Sequence, residues 1–141
     1  MKYLFPVLLC WFAVGLTLPA AAEDGIDKEL IGEWEIVEMV FRGKVQDFGG
    51  RFPGKMKFER DRYFRADGND KYEFGNAIVV RPDKKPREID IRASDQLKGI
   101  YEITGDEMKL IYPELEDFER PTVFDAVKDK RYTYYLLKRI K

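Results

Sequence analysis

From Gly32 onward apolar residues recur mostly at every second position, and no long segment keeps the spacing of an amphipathic helix. The stretch from Gly99 to Tyr112 shows the pattern best. A two-residue turn at Gly105-Asp106 sets Ile103 opposite Met108 and Tyr101 opposite Leu110, while Glu102 faces Lys109 on the other side. A slip of one residue would carry Lys109 onto the apolar face, so the side chains themselves select this register. Glycine at the first turn position accepts the positive φ that tight hairpin turns require.

The remaining segments read as further strands. Residues 33–41 form the first, with Trp34 and Ile36 on one face and Val37, Met39 and Phe41 in the opposite phase. A bulge that shifts the phase, or cover on both faces, would explain the change. Residues 43–54 are a glycine-rich loop containing Phe48, Phe52 and Pro53. Residues 55–59 place Met56 and Phe58 inward, and a tight turn at Arg60-Asp61 leads into a strand over 62–66. Asp67-Gly68-Asn69-Asp70 is turn chemistry. Residues 71–80 make a longer strand bent at Gly75-Asn76, and 88–92 direct Ile89 and Ile91 inward. An acidic loop over 113–121 and a short extended piece over 122–124 precede a closing strand over 132–140. Roughly eight strands on short connections predict an all-β sandwich or an antiparallel up-and-down barrel. The expected interior set is Trp34, Ile36, Met56, Phe58, Ile89, Tyr101, Ile103, Met108, Leu110, Phe124, Tyr134 and Leu136.

The amino terminus is of another kind. Lys2, an apolar run from Tyr3 to Leu18, and the small residues Pro19-Ala20-Ala21-Ala22 have the layout of a cleaved secretory signal peptide over residues 1–22. An uncleaved anchor is the competing reading, but Pro6 and Gly15 interrupt the run, which is short for a membrane span. A lipid on Cys10 is disfavoured by the large Leu9 before it. Export to the periplasm or the medium is therefore expected, with no stable membrane span after cleavage. Residues 23–31 would be a leader ending in one helical turn capped by Asp27, and 32–141 a single barrel domain.

Composition narrows the chemistry. The net formal charge is −1, with 25 basic and 26 acidic residues well mixed, which argues against nucleic acid, whose phosphates need a basic stripe. Cys10 is the sole cysteine and would leave with the signal, so no disulfide framework accompanies export. Histidine is absent altogether, which removes histidine-based acid–base catalysis and the common zinc sites.

Candidate sites have plain structural competitors. Asp67-Gly68-Asn69-Asp70 is oxygen-rich but lacks the spacing and bidentate glutamate of a calcium loop. Arg120-Pro121-Thr122 with Phe124 could form a ligand-contacting lip; more simply, Pro121 ends a loop, Phe124 fills core and Arg120 pairs with an acid. Glu114, Glu116 and Asp117 read as a solvated loop. Asp90 lies between isoleucines, and alternation points it outward. Ser94, the only serine, has no activating histidine. No catalytic residue, metal site or cofactor is expected, and the chain is not expected to be an enzyme.

Gly32-Glu33-Trp34 at the start of the first strand resembles the Gly-x-Trp signature of lipocalins and their relatives. In those barrels the tryptophan closes one end and a basic residue of the last strand lies across it; Arg139 is the matching residue here. A guanidinium over an indole face packs its stem and gains cation–π attraction. Leu30 to Trp34, Lys85 to Ile91, Lys98 to Asp106, Glu119 to Phe124 and Leu136-Leu137-Lys138-Arg139 together resemble, in order, a family of lipocalin-like domains abundant in planctomycete-type bacteria. Where that family often carries a cysteine after the hairpin, Ile111 and Tyr112 stand instead. The resemblance implies a lipocalin-like barrel in an exported or modular setting, and no reaction.

Two functions compete. One is a binding module holding a small apolar or amphipathic ligand in the barrel interior, lined by Phe58, Tyr101, Met108, Phe124 and Tyr134. The other is a filled barrel that serves a structural role or meets a protein partner in the envelope. An eight-stranded barrel is at the size where either outcome is available. A carboxylate- or tyrosine-dependent enzyme is the third and weakest reading.

Overall fold

The computed structural model describes residues 27–68, 70–73 and 75–141. The segments expected to be a signal peptide, 1–22, and the first part of a leader, 23–26, lie outside the described residues. Nine strands follow: β1 (Gly32–Phe41), β2 (Lys44–Val45), β3 (Lys55–Phe58), β4 (Arg62–Ala66), β5 (Asn76–Arg81), β6 (Arg87–Arg92), β7 (Gln96–Thr104), β8 (Glu107–Pro113) and β9 (Tyr132–Arg139). Each pairs antiparallel with its neighbour, and β1 also pairs with β9. Strands β1 and β3 to β9 thereby close an eight-stranded up-and-down barrel, while β2 folds back on the end of β1 from within the glycine-rich loop. Closure leaves no sheet edge in need of a partner along the barrel wall. No helix occurs among the described residues, and none there is long and apolar enough to cross a membrane.

The β7–β8 register pairs Tyr101 with Leu110, Glu102 with Lys109 and Ile103 with Met108, and Gly105 turns the chain at a φ of 60°. Gly99 serves another purpose. A Cβ there would stand 2.7 Å from the Ile111 carbonyl oxygen and 2.9 Å from the Tyr112 Cβ, so only glycine lets β7 lie this close to β8.

The interior is one packed cluster: Trp34, Ile36, Met56, Phe58, Tyr63, Ile78, Val80, Ile89, Ile91, Tyr101, Met108, Leu110, Tyr112, Tyr135 and Leu137. In β1 the phase changes at a bulge. Ile36 pairs with Leu137 and Glu38 with Leu136, so Val37 is the extra residue. Beyond it Met39 faces the interior and Val40 faces out. Cover on the outer face exists as well. Val40, Ile100, Ile111, Tyr132 and Ala126 form a second cluster, with Phe124 and Tyr134 against it. The segment 114–131 crosses the outside of the barrel as a strap and supplies Phe124 and Ala126.

Three expected interior positions are therefore corrected. Tyr134 and Leu136 do not join the interior cluster; in β9 that face belongs to Tyr135 and Leu137. Phe124 packs outside, because the strap runs over the wall rather than into the barrel. Residues 122–124 form no strand, and β5 begins at Asn76, with 71–73 and 75 outside any strand.

The strap is pinned by charge. Arg120 donates to Asp90 at 2.7 Å and to the Gly99 carbonyl at 2.7 Å, while Arg81 reaches the other Asp90 oxygen at 2.7 Å. Asp90 points outward, as alternation requires, but the strap buries it.

Candidate functional site

The two ends of the barrel differ in how they finish. At one end, residues 27–31 make a single hydrogen-bonded turn, with the Leu30 and Ile31 amides donating to the Asp27 carbonyl. Leu30 is driven into the barrel, and its carbonyl accepts the Trp34 indole N–H at 2.9 Å. The Arg139 guanidinium lies 4.1 Å from the Trp34 ring centroid and donates to the carbonyls of Glu29 and Ile31. Asp27, 8 % exposed, accepts the Tyr101 hydroxyl at 2.7 Å, Arg87 at 2.9 Å and the Glu29 amide at 3.0 Å. Burial, and then the bond to Asp27, push the Tyr101 hydroxyl well above the ordinary tyrosine range. The carboxylate thus answers the question Tyr101 poses as a buried hydroxyl.

At the opposite end the barrel stays open. A cavity of about 360 Å3 is lined by Met39, Phe41, Arg65, Leu97, Tyr112, Glu114, Thr133 and Tyr135. Alternation explains why these residues meet. Arg65 shares the phase of inward Tyr63, Tyr112 that of Leu110, and Thr133 that of Tyr135, while Glu114 follows directly on the end of β8. Arg65 donates to the Tyr135 hydroxyl and to Asp67, and its guanidinium carbon stands 5.2 Å from the Tyr135 ring centroid. Tyr112 donates to the Tyr135 hydroxyl at 3.3 Å, and their rings stack at 5.8 Å between centroids. Burial first of all lifts the Tyr112 hydroxyl well above 10.0, and it raises Tyr63 too. Both are neutral hydrogen-bonding groups at neutral pH rather than bases. Glu114 stands at the rim with its Oε2 at 3.9 Å from the Arg42 Nε. Its Oε1 is buried and has no hydrogen-bond partner among the described residues.

Of the interior residues expected to meet a ligand, Phe58, Tyr101 and Met108 are each no more than 1 % exposed and sit in the packed core. None of them lines the mouth cavity. Phe124 and Tyr134 lie outside the barrel, as described. Of the mouth residues, sequence reasoning did not single out Arg65, Tyr112 or Tyr135 as ligand contacts, and it read Glu114 as part of a solvated loop, whereas its Oε1 is buried at the rim. One signal was available. Arg139 can lie over inward-facing Trp34 only if odd-numbered residues of β9 face inward, and that phase brings Tyr135 to the mouth.

A wider hollow, about 880 Å3, lies on the outside of β3 and β4 between Lys57, Arg62, Phe64, Tyr72, Glu73 and Gly75. Lys57 there lies 5.7 Å from the centroids of both Phe64 and Tyr72. That hollow belongs to the outer wall, and none of these lining residues is in the interior cluster. No family model, curated protein or solved structure matches the chain.

Proposed function

We propose that this chain is an exported lipocalin-like domain that binds one small amphipathic ligand at the open mouth of its barrel. The observation that carries the reading is a cavity combining apolar Met39, Phe41 and Leu97 with an inward-facing arginine backed by tyrosine hydroxyls. Ligand sites are mostly apolar with a few well-placed polar groups, and a cavity of about 360 Å3 is at the small end of their range. A guanidinium brought into a barrel costs desolvation, which a structural role alone does not call for at this end. The packed lower half limits the ligand to the mouth and to a short apolar chain. The lipocalin resemblance and the signal-like amino terminus support the same setting.

Displacement of an environment-sensitive apolar dye tests this. The dye should bind once per chain, and Arg65→Met or Leu97→Asp should weaken it several-fold without lowering the melting temperature to match. A barrel that takes up no dye and co-purifies with no small molecule in native mass spectrometry would favour the filled-barrel reading, with a protein partner in place of a ligand.

A further inference from the structure

We propose that the hollow on the outer wall of β3 and β4 is a second binding site, one for an acidic saccharide. Neither the mouth nor its ligand enters this inference. Strand register places the side chains. Lys57 pairs with Phe64 across β3 and β4, so the two stand side by side on the outer face. Arg62 lies two residues before Phe64 on that same face, about 7 Å away along the strand. Lys57 and Arg62 are then diagonal neighbours, within about 8 Å of each other. One or two sugar rings span that distance. Two aromatic rings line the hollow, and both are held in place. Phe64 and Tyr72 meet edge to face at 6.5 Å between centroids, and neither belongs to a core cluster. A Cβ at position 75 would stand 2.6 Å from the Phe64 ring, so only glycine lets that ring lie where it does. Tyr72 donates to Glu33 at 2.5 Å, and the Lys55 ammonium lies 4.9 Å from its ring centroid. Large aromatics fixed on an outer wall offer flat apolar surface at little ordering cost. The C–H face of a pyranose is apolar and packs on such a surface.

The polar groups narrow the choice of ligand. Arg62 gives one donor to the Gly75 carbonyl at 3.3 Å and joins no ion pair among the described residues. Lys57 reaches Glu59 at 3.4 Å, but the two side chains are 40 % and 47 % exposed, and such a surface pair is weak and exchangeable. Both cations are therefore available to a carboxylate. Glu73 is the one acid among the described lining residues, and its ionised carboxylate can only accept hydrogen bonds. A neutral sugar would leave Arg62 without a counter-charge, and a flat aromatic acid would bring Glu73 no donor. A uronate meets both needs, with its carboxylate on Arg62 and Lys57 and its hydroxyls donating to Glu73.

The experiment is calorimetric titration of the purified protein with trigalacturonate at neutral pH and low salt. The fully methyl-esterified trisaccharide keeps the rings and hydroxyls but loses the charge. It should bind about tenfold more weakly, the size of one charge-assisted hydrogen bond. Arg62→Gln should weaken trigalacturonate to about the same degree and leave the ester unaffected. Phe64→Ala should weaken both sugars, with the thermal melt as the check on folding. Lys109→Gln, which removes an exposed cation from β8, should leave the affinity unchanged. Dye binding at the mouth should be the same with and without the saccharide. Trigalacturonate that fails to bind, binds no more tightly than its ester, or displaces the mouth dye overturns the inference. So does a loss in Lys109→Gln equal to that in Arg62→Gln, or tighter binding of 2-naphthoate than of either sugar. The mouth reading rests on its dye alone and is untouched by these results, except where the saccharide displaces that dye.

Discussion

At the closed end a buried carboxylate is met by a tyrosine, an arginine and a backbone amide, all from the same chain; at the mouth a buried carboxylate oxygen is met by nothing among the described residues. Both ends also place an arginine against an aromatic ring. Arg139 lies over Trp34 and spends its remaining donors on the carbonyls of the plugging turn. Arg65 lies beside Tyr135 and shares its donors with a second tyrosine network and an exposed aspartate. The closed end is thus a finished polar network around a full core, and the mouth is an unfinished one around a hollow. On the proposed ligand reading, stability should reside in the first and recognition in the second.

Substitutions can break this contrast. The largest effect is expected from Trp34→Ala, which empties a fully buried site and should cost about 3–5 kcal/mol in urea unfolding. A cost below about 1 kcal/mol would show that the plug is not what anchors the barrel. Asp27→Ala comes next, at about 2–3 kcal/mol, because it strands the Tyr101 hydroxyl in the core. Adding Tyr101→Phe to that variant should cost little more, and a full second loss would mean the two groups act independently.

The strap gives a pH-dependent test between these extremes. Burial raises the Asp90 carboxyl, but bonds from Arg81 and Arg120 outweigh it and hold the group below its ordinary 3.8. A depressed carboxylate stabilises the fold fully above the unfolded value and loses that contribution as pH falls through the folded value. Asp90→Asn should therefore be less stable than the parent by about 1–2 kcal/mol at neutral pH. The gap should narrow once the pH drops below about 4. A gap that stays constant down to strong acid would remove the charge from the account. The smallest change in stability, within about 1 kcal/mol, is expected for Arg65→Met, even though its dye binding should fall several-fold. Were this variant to unfold like Trp34→Ala, the mouth would be structural after all.

How much was legible in the chain depended on whether both phases of a strand were apolar. The β7–β8 hairpin alternates Glu102 and Lys109 with Tyr101, Ile103, Met108 and Leu110, so only one register buries the apolar set, and it is the one observed. In β9 the run Tyr132 to Leu137 is apolar or aromatic at nearly every position, because one face fills the barrel and the other meets the strap. Periodicity is silent there, and the choice of Tyr134 over Tyr135 was a choice between equals. Arg65 was hidden for a related reason: Tyr63 and Phe64 are both aromatic, so β4 has no self-evident inner face. Glu114 was masked by its acidic neighbours in a loop, and only the strap's path over the wall puts its carboxylate at the rim. The plug was easier to read because Gly32, Trp34 and Arg139 are local signals with a direct physical purpose.

The bulge at Val37 works as a phase inverter on a single ribbon. Before it, even-numbered residues of β1 build the plug; after it, odd-numbered ones shape the mouth and even-numbered ones hold the strap. One inserted residue thus uncouples the two halves of the strand, so side chains at the rim can change while the stopper at the far end stays as it is.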